Sequence, residues 1–321
     1  MRKICAFSVA VLFGAVLCRV MGTAPQALTF ARQSTRGLAA KYPGDAGIAS
    51  DPAVIFADDF ESYTEPAELK NNWTNFYQRD YVRLTREPSN VYAGKQALEF
   101  FNPKQSTELT NTLVKVLTRE VSTLYLRYYS KFDTSFDVLG SSHNGSTISA
   151  HYDIDGKATP GVPANGTNKF LAAFENVRGD PNVRNPGFYN VYIYHPEQRS
   201  EYGDHFFPNG EVSPYTSIPG KFGTGFAKRP NVIPDLGRWY CHEMMLKANT
   251  PGQRDGQITL WLDGQIIADF TNLRLRDVVS LTIDKFGIGL HIYANTSGPT
   301  RKWYDNVVAA TAYIGPMIKT P

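Results

Sequence analysis

Two of the six histidines fall in one short run, LGSSHNGSTISAHYD, residues 139–153. Imidazole is the side chain that changes charge nearest neutral pH, so paired histidines beside a Gly/Ser-rich turn mark candidates for proton transfer. The spacing puts His143 and Asn144 on a loop at the rim of a site and His151 on the strand that follows. Four other segments carry the same kind of chemistry. STLYLRYYSKF holds Arg127, Tyr129 and Lys131, FYNVYIYH holds Asn190, Tyr192 and Tyr194, RWYCHEMMLKAN holds Glu243 and Lys247, and FGIGLHIYA holds His291 and Tyr293. Tyrosine rings pack on the C–H faces of sugars, and cationic and amide tips satisfy hydroxyls and carboxylates that would otherwise be desolvated unpaired. A lining of these types suits a carbohydrate.

These residues alternate with apolar ones at period two, which is the pattern of strands with one face in a core. In the first segment Leu124, Leu126, Tyr128 and Phe132 form the core set, leaving Tyr125, Arg127, Tyr129 and Lys131 outward. Val191 and Ile193 face inward in the second. Ile148, Ala150, Tyr152 and Ile154 do so after the histidine run, leaving Ser149, His151 and Asp153 outward. In the Glu243 segment Tyr240, His242, Met244 and Leu246 are the inward set, with His242 a core histidine. In the last, Phe286, Ile288, Leu290 and Ile292 face inward, and Gly287 and Gly289 leave room in front of the sheet. If the outward faces belong to one sheet, they converge on a groove. Many such segments bounded by Gly, Pro, Asn or Asp, with only one short helical turn near Pro66–Lys70, predict an all-β sandwich. Asp263-Gly264 in LWLDGQIIA predicts a two-residue hairpin turn. Residues 195–235 lack alternation and are expected to be a long loop insertion that walls the site.

Several other chemistries are excluded. Glu-x-Asp-x-Glu, which sets two carboxylates on one strand for retaining glycoside hydrolysis, is absent, since HYDID offers only Asp153 and Asp155. There is no Gly-x-Ser-x-Gly elbow, the histidine spacings match no zinc pattern, and Cys241 on a strand is expected to pack. The formal charge of +3, without a basic block, argues against nucleic acid. No organic cofactor is expected.

MRKICAFSVAVLFGAVLCRVMG has two basic residues, an apolar run short for a bilayer and then small residues, the form of a secretory signal with cleavage after Gly22. Secretion or a periplasmic location follows, with no later apolar run long enough for a membrane span. Of three cysteines, Cys5 and Cys18 would leave with the signal, so the mature chain would have no internal disulfide. The expected organisation is a signal peptide over 1–22, a linker or disordered arm over 23–52, and one domain over 53–317.

FADDFESY, GRWYCHEMMLKANTPGQRDGQITLWLDGQ and KWYDNVVAATAYIGP resemble segments of the concanavalin A-like lectin/glucanase superfamily. The likeness is greatest to its jelly-roll polysaccharide lyases of the alginate and glucuronan lyase type, and it extends over most of residues 54–316. The stretches 139–153 and 195–235 depart from that pattern. The resemblance implies a concanavalin A-like β-jelly-roll whose concave sheet binds a linear polysaccharide, with the Glu243 and His291 strands both on that sheet. It implies β-elimination on a uronate polymer, in which a base takes the C5 proton, a cation or amide stabilises the carboxylate's developing charge, and a Tyr or His assists the leaving oxygen. Arg127, Asn190 or Lys247 would stabilise charge, and Tyr192, Tyr194, His151 or His291 would move protons. His151, Tyr192, His291 and Arg127 are the expected catalytic set. Tyr129, Lys131, Asn190, Tyr194, Glu243, Lys247, Tyr293, His143 and Asn144 would bind substrate. The resemblance also implies one structural Ca²⁺, for which Asp58, Glu61 and Asp305 are candidate oxygen donors. The competing expectation is a non-catalytic carbohydrate-binding module or cell-surface recognition protein, which would bind glycan without turnover.

Overall fold

A computed structural model describes residues 37 to 319 except 78, 141, 199, 214–225 and 296. The expected signal peptide lies outside the described residues. The strands are β1 Val54–Asp58, β2 Asn75–Tyr77, β3 Val82–Thr85, β4 Ala97–Asn102, β5 Leu109–Val121, β6 Thr123–Phe132, β7 Ser142–His143, β8 Ser146–Ala150, β9 Asp153–Ile154, β10 Lys157–Ala158, β11 Phe170–Val177, β12 Phe188–Tyr194, β13 Asp204–Phe206, β14 Val212–Ser213, β15 Tyr240–Lys247, β16 Gly256–Leu262, β17 Gln265–Leu273, β18 Ile283–Ile292 and β19 Thr300–Ala310.

They build two large antiparallel sheets among the described residues. One has eight strands in the order β17-β16-β15-β6-β19-β4-β3, with β1 added beside β19. The other has nine, in the order β14-β13-β12-β11-β8-β18-β5-β2, with β7 paired to β18 beyond the end of β8. The inward halves of the alternating segments meet between the sheets. Leu124, Leu126, Tyr128, Met244, Leu246 and Leu260 come from the eight-stranded sheet, and Leu113, Ile148, Phe174, Val191, Ile193, Ile288 and Leu290 from the nine-stranded one. Each such side chain contributes about 1.5–3 kcal/mol on leaving water. His242 is the core histidine the alternation predicts, with Nε2 2.8 Å from the Tyr189 hydroxyl. Asp263 and Gly264 both take positive φ, 49° and 78°, the left-handed pair a primed hairpin turn requires.

The described part of the expected linker is ordered structure. Residues 38–50 form three short 3-10 turns docked against the outer face of the eight-stranded sheet. They are tied to the C-terminal segment by Leu38 N–H to Tyr313 O, Ala39 N–H to Ile314 O and Gly44 N–H to Ile318 O. Alternation was no guide here, because short turns pay for their place through a few anchors, Leu38, Ala39 and Ile48, packed on Val308, Ala310 and Ile314. The stretch 195–235 is also more than loop, since it supplies β13 and β14 to the edge of the nine-stranded sheet. Residues 214–225 of it lie outside the described set.

Candidate active site

The outward residues predicted to share one groove are divided between two sheets. Arg127, Tyr129, Lys131, Glu243 and Lys247 lie on β6 and β15 of the eight-stranded sheet, whereas Asn190, Tyr192, Tyr194 and His291 lie on β12 and β18 of the nine-stranded one. The alternation on β6, β12, β15 and β18 is as predicted, but on the segment after the histidine run it holds only to Ala150: β8 ends there, Tyr152 packs on the outer face against Tyr194, and Ile154 is exposed. The assignment of the Glu243 strand and the His291 strand to one sheet is overturned. Period-two patterning tells which residues share a face of a strand, and carries no information on which strands share a sheet.

Four of the first group, Arg127, Tyr129, Lys131 and Glu243, are buried. Arg127 is fully buried under the N-terminal turns, where Nη2 donates to Asp45 and the guanidinium lies 5.3 Å from the Tyr129 ring centroid. Glu243 accepts the Ile314 and Gly315 N–H groups, each at 2.8 Å, and the Tyr129 hydroxyl accepts Met317 N–H at 2.7 Å. Lys131 donates to the Ser89 carbonyl and to Asn90 Oδ1. Arg127, Glu243 and Tyr129 fasten the 3-10 turns and the C-terminal segment over the sheet, and Lys131 fastens the Ser89–Asn90 loop. Lys247, at the end of β15, lies 3.8 Å from Asp255. Asn144, expected at a rim, is buried between Ser142 and the Asn176 carbonyl and accepts Asn176 N–H, while its own carbonyl accepts from Lys302. His151 is displaced from the sheet floor: it follows β8 in a left-handed conformation, φ 48°, with Nε2 3.6 Å from Glu120.

The second group converges. On the outer face of the nine-stranded sheet the Tyr192 ring has His143 on one side, centroids 4.9 Å apart, and His205 on the other at 5.0 Å. Pairing of β12 with β13 sets His205 opposite Tyr192, and pairing of β7 with β18 sets His143 opposite His291, with ring centroids 5.3 Å apart. Beneath them Glu175 and Asn190 face each other across β11 and β12. Glu175 Oε2 lies 2.8 Å from His143 Nδ1, and Asn190 Oδ1 lies 2.8 Å from His205 Nδ1. The Tyr192 hydroxyl accepts Gly203 N–H at 3.0 Å, and Tyr194 stands edge-on to the Tyr192 ring at 5.6 Å. The neighbouring floor is small: Ala173 pairs with Thr147, and Thr147 with Gly287. A Cβ on Gly287 would come within 2.9 Å of the Leu113 carbonyl oxygen, so glycine is required by the packing of the adjacent strand as well as keeping the floor open.

Protonation states follow from burial and from one charge. Burial pushes the His143 imidazole down, but the Glu175 carboxylate beside it more than offsets that, and the net direction is up. Burial, with the charge on His143, pushes His291 down to about 4. Burial also lowers His205, against the pull of Glu175. Burial and then Tyr194 raise the Tyr192 phenol. These directions make His143, paired with Glu175, the ring that most readily carries a proton, keep His291 neutral near neutral pH, and favour a neutral His205 and a protonated Tyr192 phenol. Because Asn190 Oδ1 can only accept, neutral His205 carries its proton on Nδ1 and a lone pair on Nε2. Such a set can take a proton, give a proton and offer positive charge to an anion within one small area.

Tyr293, two residues past His291, is exposed beyond the end of β18. Glu175 and His205 are the members of this cluster that the sequence reading did not place there. Glu175 stood in an alternating segment, NKFLAAFEN, in phase with Leu171 and Ala173 and opposite to Phe170, Ala172 and Phe174, so its outward direction was readable there; His205 lies where no alternation exists. Asp58 accepts from Tyr63, Trp73 and Phe60, Glu61 from the Lys95 and Gln96 N–H groups, and Asp305 from those of Tyr92, Ala93 and Asn306. Among the described residues no three His, Cys, Asp or Glu side chains form a group that could hold a metal ion.

No protein-family model matches the chain. No curated protein matches it by sequence. Solved structures do match. Alginate lyase Aly36B superposes with a TM-score of 0.57 at 17% identity, covering 81% of this chain and 98% of that one. The marine PL-14 alginate lyase from Aplysia kurodai gives 0.56 at 13%, covering 80% and 99%, and alginate lyase vAL-1 from Chlorella virus 0.54 at 13%, covering 80% and 99%. A variant of the first has been solved in complex with an alginate trisaccharide. The two antiparallel sheets, their packed interface and these superpositions identify the chain as an all-β jelly-roll sandwich, the fold that these alginate lyases share.

Proposed function

We propose that the protein is an exported lyase that cleaves an acidic, uronate-containing polysaccharide by β-elimination on the outer face of the nine-stranded sheet. The observation that carries this reading is the Tyr192 phenol set between a charged and a neutral imidazole, His143 and His205, over Asn190. In β-elimination the C5–H bond breaks and its proton goes to a base. Its electron pair forms the C4=C5 double bond, and the C4–O bond breaks with a proton delivered to the departing oxygen. His205, with a lone pair on Nε2, is the base. The His143 imidazolium, held by Glu175, offers charge to the uronate carboxylate as its enolate character grows, with Asn190 below as an amide partner. The Tyr192 phenol gives its proton to the leaving oxygen. His291, neutral and with Nδ1 2.7 Å from Thr110 Oγ1, packs beside His143 and keeps the positive charge on one ring.

Two further features support the assignment. The structural neighbours named as alginate lyases share the fold, and the site offers imidazoles and an amide where retaining hydrolysis would need two carboxylates about 5 Å apart. The experiment is incubation of the chain with alginate, glucuronan and a neutral glucan, followed by the ultraviolet absorbance of a conjugated unsaturated uronate. Absorbance growing with a uronate polymer and absent with the glucan supports elimination. Retention of polymer with no absorbance at any pH would make the protein a binding module instead.

A further inference from the structure

Beyond the Tyr192 centre, along the same outer face, lies a second cluster with a different composition. β18 carries outward, in order, Lys285, Gly287, Gly289 and His291, so Lys285 shares the face and the strand with the histidine end of the site. Its side chain is 9% exposed and paired with Asp153. Asp153 opens the β9–β10 hairpin, whose two-residue tip, Asp155 and Gly156 at φ 50° and 75°, stands out from the sheet. Next to it Lys169 is buried, and Nζ donates to Thr159 Oγ1 at 2.8 Å and to the Thr159 carbonyl. Among the described residues no carboxylate lies within ion-pair distance of Lys169. The two ammonium groups flank one aromatic ring, with Lys169 Nζ 4.5 Å and Lys285 Nζ 6.0 Å from the Tyr152 centroid. Tyr152 connects back to the centre through Tyr194, by two ring-to-ring steps of 5.6 Å each.

Buried ammonium groups are costly unless paired and hydrogen-bonded. Here two are gathered beneath a small exposed hairpin that supplies one carboxylate, on the open face of a sheet. A carboxylate on a two-stranded hairpin with no core of its own is a replaceable partner, since such hairpins are marginal on their own.

We propose that Lys285, backed by Lys169 and Tyr152, is a second carboxylate subsite, and that Asp153 occupies it as an internal stand-in until a substrate carboxylate displaces it. This deepens the reading of the site as a uronate lyase and rests on it for the identity of the ligand. It implies that the protein recognises two acidic sugars at once, one at the His143 charge and one at Lys285, and so requires runs of uronate rather than isolated ones.

Two variants break the same ion pair and are expected to act in opposite directions. With full-length chain and uronate oligosaccharides of two to six sugars, Asp153→Asn should tighten binding severalfold and lower KM, leaving kcat within about twofold. Lys285→Met should weaken binding and raise KM roughly tenfold, the order expected for loss of one charge-assisted hydrogen bond, again with kcat little changed. Lys285→Arg should restore most of the affinity. Both effects should vanish on methyl-esterified oligosaccharides. A merely structural pair would give same-sign losses in the two variants, with lowered Tm, and that result would overturn the proposal, as would a change carried by kcat. Binding is read by calorimetry, independently of turnover. Wild-type binding with the opposite-sign pattern but no elimination would therefore refute the lyase reading while retaining the subsite. Absence of any uronate binding would refute the subsite.

Discussion

At the scale of single residues, the account depends on where one positive charge sits. Glu175 holds it on His143, and burial keeps it off His205 and His291. Activity then requires His205 deprotonated and His143 protonated, so the pH–rate profile is expected to be a bell. Its acid limb should fall below 6.5, the ordinary histidine value, and its alkaline limb above it. Replacing Glu175 by Gln keeps an acceptor for Nδ1 but removes the charge, so the alkaline limb should move to lower pH, and the acid limb, which Glu175 also holds up through His205, should move in the same direction. A profile of kcat/KM for the two proteins checks this. The sign of the linked stability effect is fixed as well. A histidine whose folded pKa lies above its unfolded one contributes stability that is fully present below the unfolded pKa and is lost as pH rises through the folded one. The Glu175→Gln variant should therefore lose a larger margin to wild type, in urea midpoint, at mildly acid pH than at alkaline pH. Tyr192 could be recognised from the sequence by its phase with Asn190 and Tyr194. Its partners His143 and His205 arrive from a two-residue strand and from a stretch without periodicity, and no one-dimensional pattern brings those to the same ring.

At the scale of elements, inward and outward positions on β6, β8, β12, β15 and β18 were legible because apolar alternation is a local property of a strand. Pairing is a non-local property, and it separated Arg127 and Glu243 from Tyr192 and His291. The burial of Arg127 follows from the same cause. A cation expected in a groove is instead sealed by the 3-10 turns that carry Asp45, with Nε and Nη1 left without protein partners. Removing one member of a buried pair costs about 3–5 kcal/mol, while exchanging the charge for an apolar side chain of similar volume costs much less. Asp45→Ala is therefore expected to lower stability by about that amount, and an Asp45→Ala, Arg127→Leu double variant to recover part of it. Catalysis on the opposite sheet should stay within about twofold of wild type below the unfolding transition. Urea denaturation followed by tryptophan fluorescence, with activity on the same samples, measures both. A loss of activity in Arg127→Leu out of proportion to unfolding would return that residue to the chemistry.

At the scale of the molecule, two sheets divide the labour. The eight-stranded sheet uses its outer polar residues to fasten the N-terminal turns and the C-terminal segment, through Asp45 to Arg127, Glu243 to Ile314 and Gly315, and Tyr129 to Met317. The nine-stranded sheet carries Tyr192 and the His143, His205 and His291 imidazoles on its outer face, with Lys285 on the same face of β18. If the proposed face binds a polyanion through His143 and Lys285, KM on a long uronate polymer is expected to rise with ionic strength while kcat changes little. The all-β class was legible from turn signals and alternation. The division of labour was not, because it depends on which sheet the chain ends cover. The central claim is that Tyr192 on the nine-stranded sheet delivers the proton to the leaving oxygen. Its most direct test is the rate of unsaturated uronate release by wild type and by Tyr192→Phe on the same polymer, with binding followed in parallel. The account predicts release by wild type and a loss of about 10²–10⁴-fold in kcat for Tyr192→Phe at preserved affinity. A Tyr192→Phe protein that releases product within twofold of wild type would contradict it.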